Sequence, residues 1–202
     1  MFANTDTTVG INMPHVVYQL TPSEYGRYRQ HLLQLDNESK FLRFGYQITD
    51  ETLNRLCDKF EANPKQHIIF VIEDDDLNVI AAGHVSLEGE ELELAFSVHK
   101  EHQKKGMGSS LMKRCVEWCQ NRGIKGGCMV CLTHNTAIKK LASKHGILIN
   151  EGGETLADIK IPEMNAVSVY NELMDNSLSK VDHLGKLQRK FTKMITLPLI
   201  FK

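Results

Sequence analysis

One stretch of this 202-residue chain, residues 92–109, constrains the fold more than any other. Residues 92–98 alternate between large apolar and smaller or polar side chains, as a β-strand with one buried face does. A basic loop containing Gly106 and Gly108 follows, and the apolar spacing beyond Ser109 predicts an amphipathic helix. A glycine loop that opens a helix presents backbone N–H groups and the positive end of the helix dipole. We therefore expect this turn to bind a pyrophosphate, and so a nucleotide-like cofactor.

The charge balance excludes several classes of partner. The chain has 24 basic and 25 acidic residues, so no overall field favours nucleic acid or an anionic membrane. Residues 1–12 are polar and lack the apolar core of a secretory signal. No apolar run reaches the ~20 residues that span a bilayer. We expect a cytoplasmic protein with neither nucleic-acid nor membrane partners.

The five cysteines favour a structural role in a reducing compartment. Cys128 and Cys131 have the spacing of a metal or redox pair, but they lie in an apolar run typical of a buried strand. A strand would point their thiols to opposite faces, and no second pair of ligands has suitable spacing. We expect no metal site.

Hydrophobic periodicity predicts strands and helices over most of the chain. Strands are predicted at residues 16–20, 67–72, 79–87, 92–98, 128–132, 147–150 and 156–161, and helices at 25–35, 50–61, 109–122 and 137–145. The segment 36–45 is interpreted as a connection between two helices. Antiparallel strands followed by βαβ units predict an α/β (mixed α+β) fold whose sheet has helices on both faces.

Residues 163–202 are predicted to form a helical extension to a domain at residues 14–162, which a loose tail at residues 1–13 precedes. Apolar residues recur at steps of three and four from Val167 to Met194, which predicts one long amphipathic helix or two helices broken near Gly185. Such a helix would pack across the core or against a second copy of the chain, so a homodimer is one expectation. A membrane-surface or acceptor-recruiting role for this helix has no support beyond the basic charge of its polar side.

Two motifs in this region point to a known family. They are Gln103-x-x-Gly106-x-Gly108 and a later stretch that runs from Asn135 through Leu141 to Gly146. With them, residues 92–147 resemble the acetyl-CoA-binding core of the GNAT superfamily of N-acetyltransferases. The order of elements from residue 16 to residue 161 also fits, so the likeness covers about three quarters of the chain. The resemblance implies a mostly antiparallel sheet of six or seven strands, acetyl-CoA as cofactor and an amine as acceptor.

Two segments are similar to a narrower group, the bacterial Pat-type protein-lysine acetyltransferases. These segments are residues 36–44, which read DNESKFLRF, and the strand at residues 92–98. This likeness implies that the acceptor is a protein lysine, although acetylation of a small amine stays open. A non-catalytic module that senses acyl-CoA is the alternative of another class.

Glu93 is the candidate general base. Strand alternation places Glu93 with Ala95 and Ser97 on the face of smaller residues, from which a carboxylate can project into a cleft. The corresponding Glu is the proposed base in Pat-like enzymes. A merely exposed strand glutamate is the plain alternative.

The resemblance also implies which residues hold the cofactor. The expected cofactor-binding residues are Phe96, Ser97, Val98, Gln103, Lys104, Lys105, Gly106, Met107, Gly108, Ser109 and Asn135. The backbone of residues 96–98 would contact the pantetheine arm if the fourth and fifth strands separate there. The Asn135 amide would bind the same arm, or it would simply cap the next helix. Many GNAT enzymes have a Tyr acid where this chain has Ala142, so the group that protonates the leaving thiolate is left open.

Overall fold

A computed structural model describes residues 15–88, 92–151 and 153–200 and contains a seven-stranded sheet of order β1-β2-β3-β4-β5-β7-β6. The strands are β1 (Tyr18–Gln19), β2 (His67–Glu73), β3 (Val79–Ser86), β4 (Glu93–Val98), β5 (Gly126–Leu132), β6 (Gly146–Glu151) and β7 (Glu154–Lys160). The helices are α1 (Tyr25–Gln34), α2 (Asn37–Phe44), α3 (Asp50–Ala62), α4 (Met107–Gln120), α5 (Thr136–Ala142) and α6 (Ala166–Ile200). The β4–β5 pair is parallel and the other neighbouring pairs are antiparallel. The expected fold class is confirmed, while the expected tail at residues 1–13 lies outside the described residues.

Two hydrophobic cores lie on opposite faces of the sheet. One contains Tyr28, Leu32 and Leu53 and lies between the sheet and helices α1 and α3. The other contains Leu94 and Leu111 and lies between the sheet and α4. The alternation predicted for β4 is confirmed, because its large apolar residues lie in the α4-side core. Glu93 itself is exposed.

The segment interpreted as a connection, residues 36–45, is instead the helix α2. Asp36 caps its start, since the Asp36 carboxylate accepts from the Ser39 N–H at 3.0 Å and from the Ser39 hydroxyl at 2.7 Å. Gly45 ends it with a φ of 79°, a conformation that favours glycine. Eight residues hold too few turns for apolar periodicity to reveal a helix. The two caps are the sequence signal that identifies it.

The strands β4 and β5 separate soon after they meet. Their register consists of Glu93 opposite Cys128, where the Leu92 carbonyl accepts from the Cys128 N–H at 2.7 Å. Beyond that point β4 continues to Val98 and β5 to Leu132. The strands therefore diverge and open a gap at the carboxyl end of β4.

The C-terminal helix α6 is unbroken through Gly185 and docks onto the domain through polar side chains. Asn121 donates to the Ser168 carbonyl at 3.0 Å and to Glu172 at 2.7 Å. His183 lies 2.9 Å from the buried carboxylate of Glu73. The helix thus packs across the domain, against α4 and β1, through these polar groups rather than through its apolar stripe.

The apolar stripe of α6 faces outward. Its large side chains are from 39 % to 69 % exposed, as in Tyr170, Met174, Val181, Leu184 and Phe191. The basic side of the helix meets the β2–β3 turn. Lys193, for example, lies 3.3 Å from Asp76.

Candidate active site

A cleft of about 640 Å³ lies where β4 and β5 diverge. Its walls come from the end of β4, the loop at residues 102–106, the start of α4, helix α5 and part of α2. Most of the predicted cofactor-binding residues line it: Phe96, Ser97, Val98, Gln103, Lys104, Gly106, Met107, Gly108, Ser109 and Asn135. Lys105 is not part of the lining, and its carbonyl lies 2.8 Å from a ring nitrogen of His15.

The glycine loop forms a tight turn that starts α4. Lys104 and Gly106 both have left-handed backbones, with φ of 62° and 86°. The Gly106 carbonyl accepts from the N–H groups of Ser109 and Ser110 at 3.0 and 3.1 Å, so the helix begins at Met107. The positive end of a 14-residue helix therefore faces the cleft.

Gly108 leaves room in the first turn of α4. A Cβ added there would lie 3.7 Å from the side chain of Leu141, which is an ordinary van der Waals distance. Because both residues line the cleft, a longer side chain at position 108 would extend into it. The packing of α4 on α5 does not require glycine at position 108. The missing side chain instead enlarges the cleft.

The backbone of β4 turns alternate residues toward the gap. The N–H of His99 donates to the Ile80 carbonyl on the β3 side, and the carbonyl of Leu92 accepts from β5 on the other side. The N–H and C=O groups of Phe96 and Val98 therefore point toward the gap. Gln103 donates its side-chain amide to the Val98 carbonyl at 3.2 Å, which ties the loop to the strand end.

The Ser97 side chain points away from the cleft. Its hydroxyl lies 2.8 Å from Nε2 of His31, whose Nδ1 lies 2.9 Å from the Val79 carbonyl. Burial, with a contribution from His99, lowers the pKa of His31 to about 3. A neutral His31 donates a hydrogen bond from Nδ1 to the Val79 carbonyl, and its Nε2 accepts a hydrogen bond from the Ser97 hydroxyl. Sequence reasoning missed His31, which occupies the Ser97 hydroxyl, while the Ser97 backbone faces β3 opposite Ala82.

Asn135 caps α5 and also lines the cleft. Its Oδ1 accepts from the Ile138 N–H at 3.2 Å, and the residue is 7 % exposed. The capping role that the sequence left open is therefore present. The Asn135 nitrogen Nδ2 is the part of the side chain that can donate to a ligand. Ala142, further along α5, is fully buried.

Glu93 lies in a second, smaller cavity rather than in the cleft itself. This cavity has a volume of about 250 Å³, and Leu42 and Arg43 of α2 line both it and the cleft. Its other walls combine apolar side chains with three carboxylates and two buried histidines: Phe44, Leu56, Phe60, Val130, Leu132, Glu88, Glu93, Glu154, His67 and His84. The cavities thus meet at α2, which the sequence analysis treated as a connection.

The charged groups of the smaller cavity are partly paired. Glu88 lies 2.6 Å from Lys59 and 3.2 Å from His67, and the hydrogen bond from Lys59 lowers the pKa of the Glu88 carboxyl. Nε of Arg43 is buried without a hydrogen-bond partner among the described residues. Burial lowers the pKa of His84 well below its ordinary value. The cavity therefore holds a half-buried arginine, with its Nε unpaired among the described residues, beside neutral imidazoles.

The paired strands of the β2–β3 hairpin bring the two histidines together. His67 stands opposite Ser86, and His84 stands opposite Ile69, so the rings are diagonal neighbours on one face. A hairpin centred on the acidic turn at residues 74–76 would instead pair His67 with Gly83 and place His84 on the other face. The register shift between Ile72 and Glu73 brings the two rings to one face, and the sequence did not predict it.

Neither a metal centre nor a membrane span is found in the described residues. No three His, Cys, Asp or Glu side chains there are placed to hold a metal ion. No described helix is both long and apolar enough to cross a bilayer. Cys57, Cys115, Cys119 and Cys131 are free thiols.

Comparisons with known proteins agree with this geometry. Residues 65–146 match the family model of the acetyltransferase (GNAT) domain. The chain is 26% identical over 160 residues to the acetyltransferase Pat of Mycolicibacterium smegmatis, a match that covers 76% of this chain and 48% of the relative. The chain thus spans about half the length of that curated relative.

Solved structures share the fold. The GNAT domain of S. lividans PAT superposes with a TM-score of 0.58 at 20% identity, covering 71% of this chain and 89% of that one. The protein yncA from Salmonella typhimurium, solved with its cofactor acetyl-CoA, superposes with a TM-score of 0.54 at 14% identity. That match covers 76% of this chain and 97% of the other.

Proposed function

We propose, from the premise that this chain contains a GNAT acetyltransferase domain, that it transfers an acetyl group from acetyl-CoA to a primary amine. The observation that carries the proposal is the divergence of β4 and β5 beside a glycine turn at the start of α4. This geometry offers a strand backbone, a helix N-terminus and a continuous cleft of suitable extent. The matches to the GNAT domain and to Pat support it.

The cofactor would lie along the cleft. Amides of the first turn of α4, including those of Met107 and Gly108, would hold the diphosphate, with the charge of Lys104 beside it. The backbone of Phe96 and Val98 and the Asn135 amide would hold the pantetheine arm. The space at Gly108 is the feature that fits this group, because a side chain there would occupy the cleft. Lys105, which lies outside the lining, would act through its charge alone.

Glu93 is proposed as the general base. A lysine-like ammonium with a pKa of 10.4 requires about 4–5 kcal/mol to lose its proton at pH 7. Glu93 is exposed on the wall of the smaller cavity and can take that proton directly or through water. Bound acetyl-CoA supplies a thioester carbonyl as the electrophile. An N–H directed from β4 toward the gap can stabilise negative charge on that carbonyl oxygen.

The leaving thiolate would take its proton from water. Ala142 stands where many relatives carry a tyrosine, and a methyl group donates nothing. The chain's own contribution to this step would be a cleft that is open to solvent. One proton is released for each acetyl group moved from the thioester to an ammonium.

Two acceptor classes compete, a protein lysine and a small amine. The match to Pat favours a lysine side chain, and the small apolar-walled cavity admits either. Mass spectrometry of products from a panel of lysine peptides and small amines tests the function. If the protein were only an acyl-CoA sensor, both the wild type and Glu93→Gln would bind acetyl-CoA, and neither would acetylate any peptide or amine of the panel.

A second copy of this chain is the proposed partner of α6. The exposed stripe follows the three-and-four spacing of a coiled-coil seam through Val167, Tyr170, Met174, Val181 and Leu184. The stripe runs from Val167 to Met194 along this 35-residue helix, so it is about 40 Å long. A stripe on one helix can pair with itself about a two-fold axis. In this arrangement residues 14–162 are the catalytic unit and residues 163–202 the dimerisation extension.

The cysteine thiols favour the cytoplasm as the place of action. Cys57, Cys115, Cys119 and Cys131 form no disulfide, as expected in a reducing compartment. Acetyl-CoA transfer requires no membrane or nucleic-acid partner.

A further inference from the structure

Three side chains of the smaller cavity form a hydrogen-bonded chain that the proposed mechanism does not use. Nε2 of His84 lies 3.1 Å from Nδ1 of His67, and Nε2 of His67 lies 3.2 Å from a carboxylate oxygen of Glu88. Lys59 pairs with the other oxygen of Glu88 at 2.6 Å. The two histidines are 0 % and 4 % exposed, and the Phe60 ring packs 4.6 Å from each. The chain therefore runs from the half-exposed Glu88 into the buried wall of the cavity.

The carboxylate determines where each proton lies. The pKa of Glu88 is lowered, chiefly by its hydrogen bond from Lys59, so Glu88 is ionised and only accepts. Nε2 of His67 must then carry a hydrogen and donate it to Glu88. Burial also lowers the pKa of His67, which is therefore neutral, with a bare Nδ1. That bare nitrogen accepts from Nε2–H of His84.

The same reasoning leaves His84 with an unprotonated Nδ1. Its pKa lies well below the ordinary value, mainly because the ring is buried, with Arg43 and His67 adding to the effect. A neutral ring with a hydrogen on Nε2 has a lone pair on Nδ1. Within the described part of the chain, no hydrogen bond engages this nitrogen, and His84 lines the cavity.

We propose that Nδ1 of His84, whose tautomer Glu88 sets through His67, accepts an N–H from the acceptor amine and so directs that amine within the cavity. This inference rests on the proposed function and names its acceptor class, a primary amine on an aliphatic stem. The cavity of about 250 Å³ has room for one such stem. The apolar walls from Phe44, Leu56 and Val130 suit methylene groups.

The charges around the cavity favour proton transfer at Glu93 and binding of the neutral amine at His84. Arg43 faces the histidines from α2, and its guanidinium disfavours a second cation in the interior. Glu93 and Glu154 lie at the exposed side and attract the incoming ammonium. The amine would give its proton to Glu93 there and meet His84 as a neutral nucleophile. His84 is thus a binding group for the nitrogen, while Glu93 holds the proton.

Nitrogen-15 NMR of the histidine side chains tests the tautomer directly, because a bare and a protonated ring nitrogen have distinct shifts. At pH 7 we expect Nδ1 of His84 to be unprotonated. Butylamine, used as the probe, should shift that signal in the presence of coenzyme A. Butyltrimethylammonium has the same stem and charge without an N–H, and should leave it in place. A protonated Nδ1, or equal responses to the two probes, would overturn the proposal.

Kinetics of two variants provide the second test. Glu88→Ala removes the group that sets the tautomer, and His84→Phe removes the accepting nitrogen while keeping a ring beside Phe60. Loss of one hydrogen bond worth about 1.4 kcal/mol lowers kcat/KM for butylamine about tenfold. The melting shift with acetyl-CoA should be unchanged in both variants. Lys65→Met, at an exposed lysine outside the cavity that leaves Glu88 and Lys59 in place, is the matched control and should lie within about twofold of wild type.

The outcomes separate this inference from the proposed function. If wild type neither binds acetyl-CoA nor acetylates any amine, the proposed function fails. If wild type does both and Glu88→Ala and His84→Phe match its kcat/KM, the His84 assignment alone fails. If His84→Phe without ligand melts far below wild type, His84→Gln, which keeps a polar atom at position 84, is tested as well. Its kcat/KM should fall less than that of His84→Phe.

Discussion

Glu93 stands opposite Cys128 at the point where β4 and β5 meet, so the proposed base lies where the two strands begin to diverge. The backbone carbonyl of the preceding residue, Leu92, accepts a hydrogen bond from the Cys128 N–H, and this bond joins the two strands. The reacting groups would thus be placed by a strand junction rather than by a mobile loop. Rigid placement of this kind supports proximity catalysis.

Replacing Glu93 by Gln should abolish most turnover while leaving cofactor binding intact. Loss of a general base lowers kcat by about 10²–10⁴. Acetyl-CoA at about 100 times its Kd should still stabilise the variant by about 2.7 kcal/mol. Steady-state rates and thermal melts provide the measurements. Glu101→Gln, an exposed carboxylate outside both cavities, is the control, and equal rates for all three proteins would contradict the assignment.

Replacing Gly108 by Glu should prevent binding of acetyl-CoA. The new carboxylate would extend into the cleft and repel the diphosphate, whereas the Cβ itself meets Leu141 at an ordinary distance. The melting shift with acetyl-CoA should disappear, and the melting temperature without ligand should change little. Gly26→Glu on α1, where an added Cβ meets nothing within 4 Å, is the matched control. A full shift in Gly108→Glu would place the diphosphate elsewhere.

Replacing Gly127 by Ala should disturb the junction of β4 and β5. An added Cβ would lie 2.8 Å from the Leu92 carbonyl oxygen and 2.3 Å from its side chain, so the strands must move apart. Overpacking of this kind destabilises by about 1–3 kcal/mol. Urea unfolding measures the loss, and isothermal titration measures the accompanying fall in acetyl-CoA affinity. Wild-type stability in this variant would show that the junction is not tight.

Stability should fall as the solution is made acidic, because His31 is neutral in the fold. Its pKa is about 3 when folded and near 6.5 when unfolded, so the unfolded chain binds the additional proton between these values. The free energy of unfolding therefore decreases as pH falls through that window, by about 2 kcal/mol from pH 7 to pH 5 for His31. His67 and His84, whose pKa values are also lowered by burial, act in the same direction.

Urea unfolding at a series of pH values measures this dependence. A His31→Gln variant keeps polar atoms near Ser97 and Val79, and its unfolding free energy should depend less steeply on pH. The same slope in both proteins would mean that His31 does not titrate as a buried group.

A charge in the outward stripe of α6 should dissociate the proposed dimer. Leu184→Glu places a carboxylate in the centre of the seam, where it would be desolvated in a dimer. Light scattering should give a dimer mass for wild type and a monomer mass for the variant. Arg55→Glu on α3 changes the charge in the same direction away from α6, and should leave the mass unchanged. A monomeric wild type would contradict the proposal.

The sequence predicts the parts of the site that depend on local patterns. Alternation along β4, the turn at Gly106 and the amphipathic stripe of α4 each involve neighbours within a few residues. The order of strands follows from these elements, which is why the fold class was predictable. The left-handed backbone of Gly106 is likewise a local property, because glycine adopts it without help from distant residues.

The smaller cavity could not be read from those patterns, because it depends on register and on a short helix. His67 and His84 are 17 residues apart and meet through the pairing of β2 with β3. Helix α2 has eight residues, and its caps rather than its periodicity define it. The orientation of α6 was left open as well, since hydrophobic spacing indicates a stripe without indicating which way it faces.

The position of α2 between the two cavities has a thermodynamic consequence. Leu42 and Arg43 belong to the walls of both compartments, so an occupant of one that shifts these side chains changes the free energy of filling the other. Linkage requires that effect to be mutual. Whatever factor the amine applies to the Kd of acetyl-CoA, acetyl-CoA applies to the Kd of the amine. The cooperativity between the two substrates would then depend on eight residues of helix that do not include the proposed base.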